Sequence, residues 1–165
     1  MPPTFRTGTA EDIEQLRTLG LSAYGQLKHL LSEEHWQIIS DNVSNADTYL
    51  TFLAKGTCFV CEENGEITGM AYFIPQGNPT PIFQEDWCYL RLVGVHPAHA
   101  GKGIGKKLTE LCLEQARKTN EKTIALHTSD FMDAARHIYE NLGFKVLKEL
   151  QPRFGKRYWV YTLEL

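Results

Sequence analysis

The chain has 165 residues, 42% hydrophobic and 22% charged, with a formal net charge of −3. This is ordinary globular composition, and a chain of this length buries on the order of 70% of the surface it exposes when unfolded. A single domain over residues 1–165 is therefore expected, and the acidic balance argues against nucleic acid or an anionic membrane as partner.

Taken in chain order, Phe5-Arg6-Thr7 predicts a short strand. Thr9, with Asp12 three residues on, caps a helix carrying Ile13, Leu16 and Leu19. Ser32 caps a second, with Glu33 and Glu34 in its first turn and Trp36, Ile39 and Val43 behind. Helical spacing continues through Tyr49, Leu50 and Leu53. Residues 57–62 and 67–74 read as a hairpin around Asn64-Gly65. A Pro/Gly-rich loop follows over 75–81. Residues 87–95 are apolar on both faces, which predicts a central strand. A helix is predicted over 103–119, with Ile104, Leu108, Leu111 and Cys112 inward, then a strand over 123–128. Ser129 or Asp130 caps a helix over 130–141, which Gly143 closes. Strands over 144–150 and 157–163 end the pattern, and the whole reads as an α+β fold.

Other features point to the cytosol. No apolar run approaches the ~20 residues that cross a bilayer. The start Met1-Pro2-Pro3-Thr4 lacks a charged and then apolar leader, so a cytoplasmic location is expected. Cys58, Cys61, Cys88 and Cys112 sit in apolar surroundings. Cys58 and Cys61 have C-x-x-C spacing, but no second pair follows, and on a strand they face opposite ways. Buried free thiols are expected, and no metal.

The chemistry concentrates in Val95-His96-Pro97-Ala98-His99-Ala100-Gly101-Lys102-Gly103-Ile104-Gly105-Lys106-Lys107-Leu108. Three alternate glycines lie between a predicted strand and a predicted helix. Glycine lets a ligand approach the backbone, and a helix start offers unpaired N–H groups and a favourable dipole to an anion. Lys102, Lys106 and Lys107 add charge. The standard nucleotide loops do not fit. A dinucleotide loop starting at Gly101 needs glycine where Lys106 stands. A nucleoside-triphosphate loop needs glycine at Ala100 and a hydroxyl at Lys107.

The run instead resembles motif A of the GNAT superfamily of acetyltransferases, through Val95, Pro97, Gly103 and Gly105. Ala100 stands where the family usually has Arg or Gln. A second stretch, from Leu126 to Phe144, resembles motif B through Ala135, Tyr139 and Gly143-Phe144, with Met132 where many members carry Asn. The resemblance implies the GNAT fold, a mixed sheet of about six to seven strands flanked by about four helices. It implies acetyl-CoA as co-substrate and an amine of a small molecule, peptide or protein as acceptor, with direct transfer between them. The cofactor residues it implies are Ala100, Gly101, Lys102, Gly103, Ile104, Gly105 and Lys106 at the diphosphate, the backbone of Val93 and Val95 along the pantetheine arm, and Met132 and Tyr139. Tyr139 would also act catalytically, at the thioester sulfur. A monomer or homodimer is expected.

The general base is less well marked. Members often carry Glu or His on the strand before motif A, whereas the comparable positions here are Tyr89 and Arg91. Neither is a base at neutral pH. Glu85, Asp86 and His96 flank the strand and are the remaining candidates. The loop over 76–86 holds Phe83 with Glu85 and Asp86, which favours a cationic amine but equally suits a plain connector. A CoA or acyl-CoA sensor without turnover is the second reading, left open by Ala100, Met132 and the missing carboxylate.

Overall fold

The computed structural model describes residues 2–165. In chain order its elements are β1 (Thr4–Thr7), α1 (Ile13–Gly25), α2 (Glu33–Ser44), α3 (Ala46–Lys55), β2 (Thr57–Glu63), β3 (Glu66–Ile74), β4 (Cys88–Val95), α4 (Ile104–Lys118), β5 (Thr123–Ser129), α5 (Asp133–Asn141), β6 (Lys145–Glu149) and β7 (Tyr158–Glu164). The strands form one sheet in the order β1-β2-β3-β4-β5-β7-β6. All neighbours run antiparallel except β4 and β5. The mixed sheet matches the expected GNAT fold, with five α-helices.

Local chemistry explains the boundaries. The Thr9 hydroxyl accepts from the Glu11 N–H (3.2 Å), and Asp12 Oδ2 accepts from the Thr9 N–H (2.8 Å). Arg6 clamps the same carboxylate with two hydrogen bonds of 2.9 and 3.0 Å, which ties α1 to β1. The Ser32 hydroxyl accepts from the His35 N–H at 3.1 Å. Asn45 is extended (φ −86, ψ 119), and its side chain accepts from the Asp47 N–H at 2.9 Å. It ends α2 and caps α3, so the apolar spacing over 33–54 makes two helices. Asn64 and Gly65, both at positive φ (54 and 82), make the tight hairpin turn.

One boundary moves. The predicted helix over 130–141 begins only at Asp133. The Ser129 hydroxyl donates to the Arg157 carbonyl at 2.6 Å, and the Asp130 N–H donates to it at 3.2 Å. The Ser129 hydroxyl is thus spent on the β7 side and on the Asp130 carboxylate, which accepts from it at 3.2 Å, β5 runs to Ser129, and Met132 precedes the helix with no side-chain cap. The other end is as expected. Gly143 (φ 100) and Phe144 donate to the Glu140 and Tyr139 carbonyls, which is a Schellman closure.

The sheet separates two cores. Leu16 and Leu19 of α1 pack with Tyr49, Tyr72, Tyr89 and Val160 on one face. Leu108 and Cys112 of α4 pack with Ala71, Phe73, Leu90, Ile124 and Tyr139 on the other. Cys58 belongs to the first core and Cys61 to the second, and all four cysteines are buried free thiols. Among the described residues no helix is long and apolar enough to cross a membrane.

Gly69 of β3 lies beneath the first turn of α4. A Cβ there would stand 2.6 Å from Ile104 Cγ2 and 3.0 Å from Leu108 Cδ1. Gly69→Val is therefore expected to lift the helix start off the sheet and cost about 1–3 kcal/mol, typical of overpacking. Denaturant unfolding checks this, and an unchanged midpoint would show that the helix yields freely.

Candidate functional site

The parallel pair β4–β5 is hydrogen-bonded only at its start, with Cys88 opposite Ile124 and Tyr89 opposite Ala125. Beyond that point the strands part. The cause lies in β4. Gly69 and Met70 pair with Val95 and Gly94, but Tyr72 pairs with Arg91, so Leu92 and Val93 together oppose Ala71. This is a β-bulge, and Leu92 takes φ 50 within it. The sheet thus opens as a wedge between Leu90–Val95 and Leu126–Ser129.

The wedge has a defined backbone lining. The His96 N–H donates to the Thr68 carbonyl of the β3 side at 2.8 Å. Polar groups alternate along a strand, so those of Val95 and Val93 face the wedge instead. The side chains of both valines pack against the α4 core.

At its wide end the wedge meets the glycine loop. Gly101 and Gly103 hold φ 79 and 78, and a Cβ on either would meet nothing within 4 Å. They are required by backbone conformation, and the space beside them is open. Gly103 caps α4 with no side chain over the helix start. The Lys107 N–H is the first to bond within the helix, to Gly103 at 3.0 Å. The preceding N–H groups of Ile104, Gly105 and Lys106 are left for an anion. Gly105 is buried, 3.3 Å (from its ideal Cβ) from Ile138 of α5, so it brings α4 and α5 together at this corner. Ala100 is exposed and leaves the cradle to backbone groups alone. Lys102 lies 3.7 Å from Glu63, which also meets His99 at 3.1 Å, so that acid holds the loop from β2. Lys106 reaches Glu110 at 4.0 Å.

Tyr139 comes from α5 into the core beneath α4. It is buried, packs edge-on to Phe144 (5.9 Å between ring centres), and no described residue hydrogen-bonds its hydroxyl. Burial raises its pKa, and the phenol of Tyr24 from α1 adds to the effect. Met132 is half-buried at the head of α5, its sulfur accepting from the Thr128 hydroxyl at 3.6 Å.

The candidate bases are placed elsewhere. Glu85 and Asp86 are exposed in the loop before β4, about 20 Å of strand from the cradle at ~3.3 Å per residue. His96 Nδ1 accepts from the Ala98 N–H at 3.0 Å and shapes the loop. A residue that sequence reasoning passed over faces the wedge instead. Continuing the β4–β5 register places His127 across from Arg91. The His127 ring lies 5.9 Å from Phe83 and 6.0 Å from Tyr158, and its buried Nδ1 has no partner among the described residues. Burial, with Arg91 and Arg153 nearby, pulls its pKa down to about 3. The available signal was one imidazole directly after an apolar run, Ile124-Ala125-Leu126-His127.

A parallel pair prised apart above a glycine-capped helix start leaves a slot lined by backbone groups. The chain belongs to the acetyltransferase (GNAT) family, whose profile matches residues 21–144. It is 29% identical over 126 residues to the L-amino acid N-acyltransferase MnaT of Escherichia coli K12, covering 73% of this chain and 71% of that protein. It is 31% identical over 99 residues to the L-methionine sulfoximine/L-methionine sulfone acetyltransferase of Salmonella typhimurium, covering 60% of this chain and 56% of that one. The chain thus spans little more than half of the second relative. The PaiA N-acetyltransferase of Thermoplasma acidophilum, solved with coenzyme A, has the same fold, with a TM-score of 0.80 at 16% identity and full coverage of both chains.

Two outcomes are expected here. Gly103→Val adds strain of about 1–3 kcal/mol at its positive φ and fills the cradle. Wild-type protein should gain about 2.7 kcal/mol from acetyl-CoA at a hundredfold excess over Kd, and the variant should lose most of that gain. Thermal melting with and without acetyl-CoA decides it, and an undiminished shift would place the site elsewhere. The second outcome concerns acid. His127 stays neutral down to pH about 3 when folded, while the unfolded chain takes up its proton near 6.5. The unfolded state therefore binds more protons below 6.5, and stability falls as pH drops through that window. Between pH 7 and 5 the loss from this group is at most about 2 kcal/mol. His127→Phe should flatten that part of the stability profile, and an unchanged slope would show that the ring is solvated.

Proposed function

We propose that this protein transfers the acetyl group of acetyl-CoA directly to the amine of a small molecule. One observation carries this reading: the unpaired edge of β4, from the bulge at Leu92 to Val95, leads through the glycine loop to the free N–H groups at the start of α4. In this reading Gly101–Lys106 hold the diphosphate, and backbone groups of Val93 and Val95 hold the pantetheine arm. Met132 packs beside it, and Tyr139 stands at the sulfur. Two relatives named for acylation of amino acids or their analogues support a small acceptor.

The chemistry limits each group. The amine nitrogen forms a bond to the thioester carbon, the C–S bond breaks, and the leaving thiolate needs compensation. An ordinary phenol (pKa about 10) already holds its proton more tightly than a thiol (about 8.5). Burial raises Tyr139 further, so complete proton transfer runs uphill. A hydrogen bond from its hydroxyl, strengthening as charge grows on sulfur, is the role that fits. His127, its pKa lowered by burial and by Arg91 and Arg153, is too weakly basic to take the amine's proton at neutral pH.

Tyr139→Phe removes one hydroxyl and little volume. If the hydroxyl acts only in the transition state, kcat and kcat/KM fall together by roughly ten- to a thousandfold, or about 1.4–4 kcal/mol, while acetyl-CoA affinity holds. Thiol release against an amine panel measures this. Unchanged turnover would reduce Tyr139 to packing. Tight CoA binding with no thiol release for any amine would leave the sensor.

A further inference from the structure

Resting on that reading of the site, we propose that Glu63 and His99 are positioning residues for the co-substrate and that they act through a proton. In the free protein they hold Lys102. Acetyl-CoA draws Lys102 to its diphosphate, and His99 takes up a proton to replace the lost charge beside Glu63.

The argument begins with three polar groups in one small triangle. His99 Nδ1 lies 3.1 Å from Glu63 Oε2 and 3.0 Å from Lys102 Nζ. The ammonium lies 3.7 Å from the same carboxylate oxygen, an ion pair without a hydrogen bond. An ammonium only donates, so at 3.0 Å it needs the lone pair of Nδ1. That nitrogen then has no proton to give Glu63. Glu63 Oε2 is buried and has no hydrogen-bond partner among the described residues. It faces a lone pair, and the charge of Lys102 is what compensates it. Glu66 sharpens that need, because it stands directly opposite Glu63 in the β2–β3 ladder, where like charges repel.

The place of Lys102 gives the triangle its use. It lies between Gly101 and Gly103, beside the open space of the cradle. It is the one Lys or Arg between Val95 and Ile104. Its side chain is 49% exposed, so packing does not lock it against Glu63. A diphosphate carries more charge than one carboxylate and competes for the ammonium. Once Lys102 moves, Glu63 keeps a largely buried charge without a partner, which is costly. A change of tautomer at His99 would supply a hydrogen bond but leave the charge. An imidazolium supplies both, and imidazole is the side chain that changes charge near neutral pH. The His96 ring is 6.0 Å from that of His99, and its Nδ1 already accepts from the Ala98 N–H at 3.0 Å. Glu63 and Glu66 of the hairpin and Lys102 and His96 of the loop are thus the charges that bear on His99. The complex then binds more protons than the free protein, so affinity for acetyl-CoA rises as pH falls.

The test is proton uptake on binding acetyl-CoA at pH 7, read by titration calorimetry in two buffers of different ionisation enthalpy. Wild-type protein is expected to take up roughly 0.2–0.5 proton, with Kd tightening about two- to fivefold from pH 8 to pH 6.5. The 3′-phosphate of CoA titrates near about 6 as well, but it is common to every variant, so differences between variants isolate the protein's proton. His99→Gln should lose that part of the uptake and of the slope. His96→Asn keeps an acceptor for the Ala98 N–H and should retain both. Glu63→Gln frees Lys102 and should bind acetyl-CoA about two- to fivefold tighter than wild type at pH 8, with a flattened profile. An acid that merely anchors the loop predicts weaker binding in that variant at every pH, and this result would overturn the inference. So would binding with no proton uptake, uptake unchanged in His99→Gln, or uptake lost in His96→Asn instead. Each of these leaves the acetyltransferase reading standing. If Glu63→Gln does not fold, wild type against His99→Gln decides. Absence of any acetyl-CoA binding by the wild-type protein would remove the reading beneath it, and this inference with it.

Discussion

At Leu92 the backbone of β4 turns through φ 50, and two residues stand where one would keep the ladder in step. The rest of the site follows from this dislocation. A leucine in that conformation costs of order 1–3 kcal/mol, and such strain persists only where surrounding packing holds it. Here the side chain is buried among residues of the α1–α3 core. With a regular β4 the parallel ladder would continue past Tyr89, and its backbone groups would be consumed by β5. The bulge releases them, and it also puts Arg91 and Leu92 in succession toward the same core.

The two ends of the wedge carry different kinds of positive field. At the cradle it comes from backbone dipoles, which cost no side-chain entropy and need only glycine to expose them. Toward the closed end Arg91 lies half-buried over Phe52 with no ion-pair partner among the described residues, and it adds to the burial that lowers the His127 pKa. The net charge of −3 is therefore no guide to the field at the cradle. Local charge, and not the total, decides what approaches the site.

Much of this was legible in the sequence because it rests on local chemistry. The caps at Thr9 and Ser32, the Asn64-Gly65 turn, the glycine loop and the Gly143 closure are short-range devices, and the folded chain uses each of them. The helix break at Asn45 was hidden because apolar spacing runs unbroken across it. Ser129 and Asp130 misled because the Ser129 hydroxyl and the Asp130 N–H turn to a long-range partner, the Arg157 carbonyl, while the Asp130 carboxylate accepts from Ser129. The wedge was invisible because a bulge is a mismatch between two strands, and a single strand's pattern does not contain it. The same holds for His127 and Arg153. They lie 26 residues apart and share a neighbour, Tyr158, only after β5 and the β6–β7 hairpin have been placed side by side.

The gap in the sheet also bears on how transfer proceeds. Tyr139 belongs to the α4–α5 face and Tyr24 to the α1 face, and Tyr24 adds to the rise that burial gives the Tyr139 pKa. A donor laid along α4 and an acceptor entering beside α1 would then meet edge to edge in the wedge, each desolvated by its own side of the sheet. A relay through an acylated cysteine would need a thiolate within reach. Burial pushes Cys58 and Cys88 up to about 12 and raises Cys112 as well, and all four thiols are sealed in the cores. Such thiols are inert as nucleophiles at neutral pH. The geometry therefore favours bringing two substrates together over passing the acyl group through the protein, and its contribution to rate is orientation within a preformed, partly dry slot.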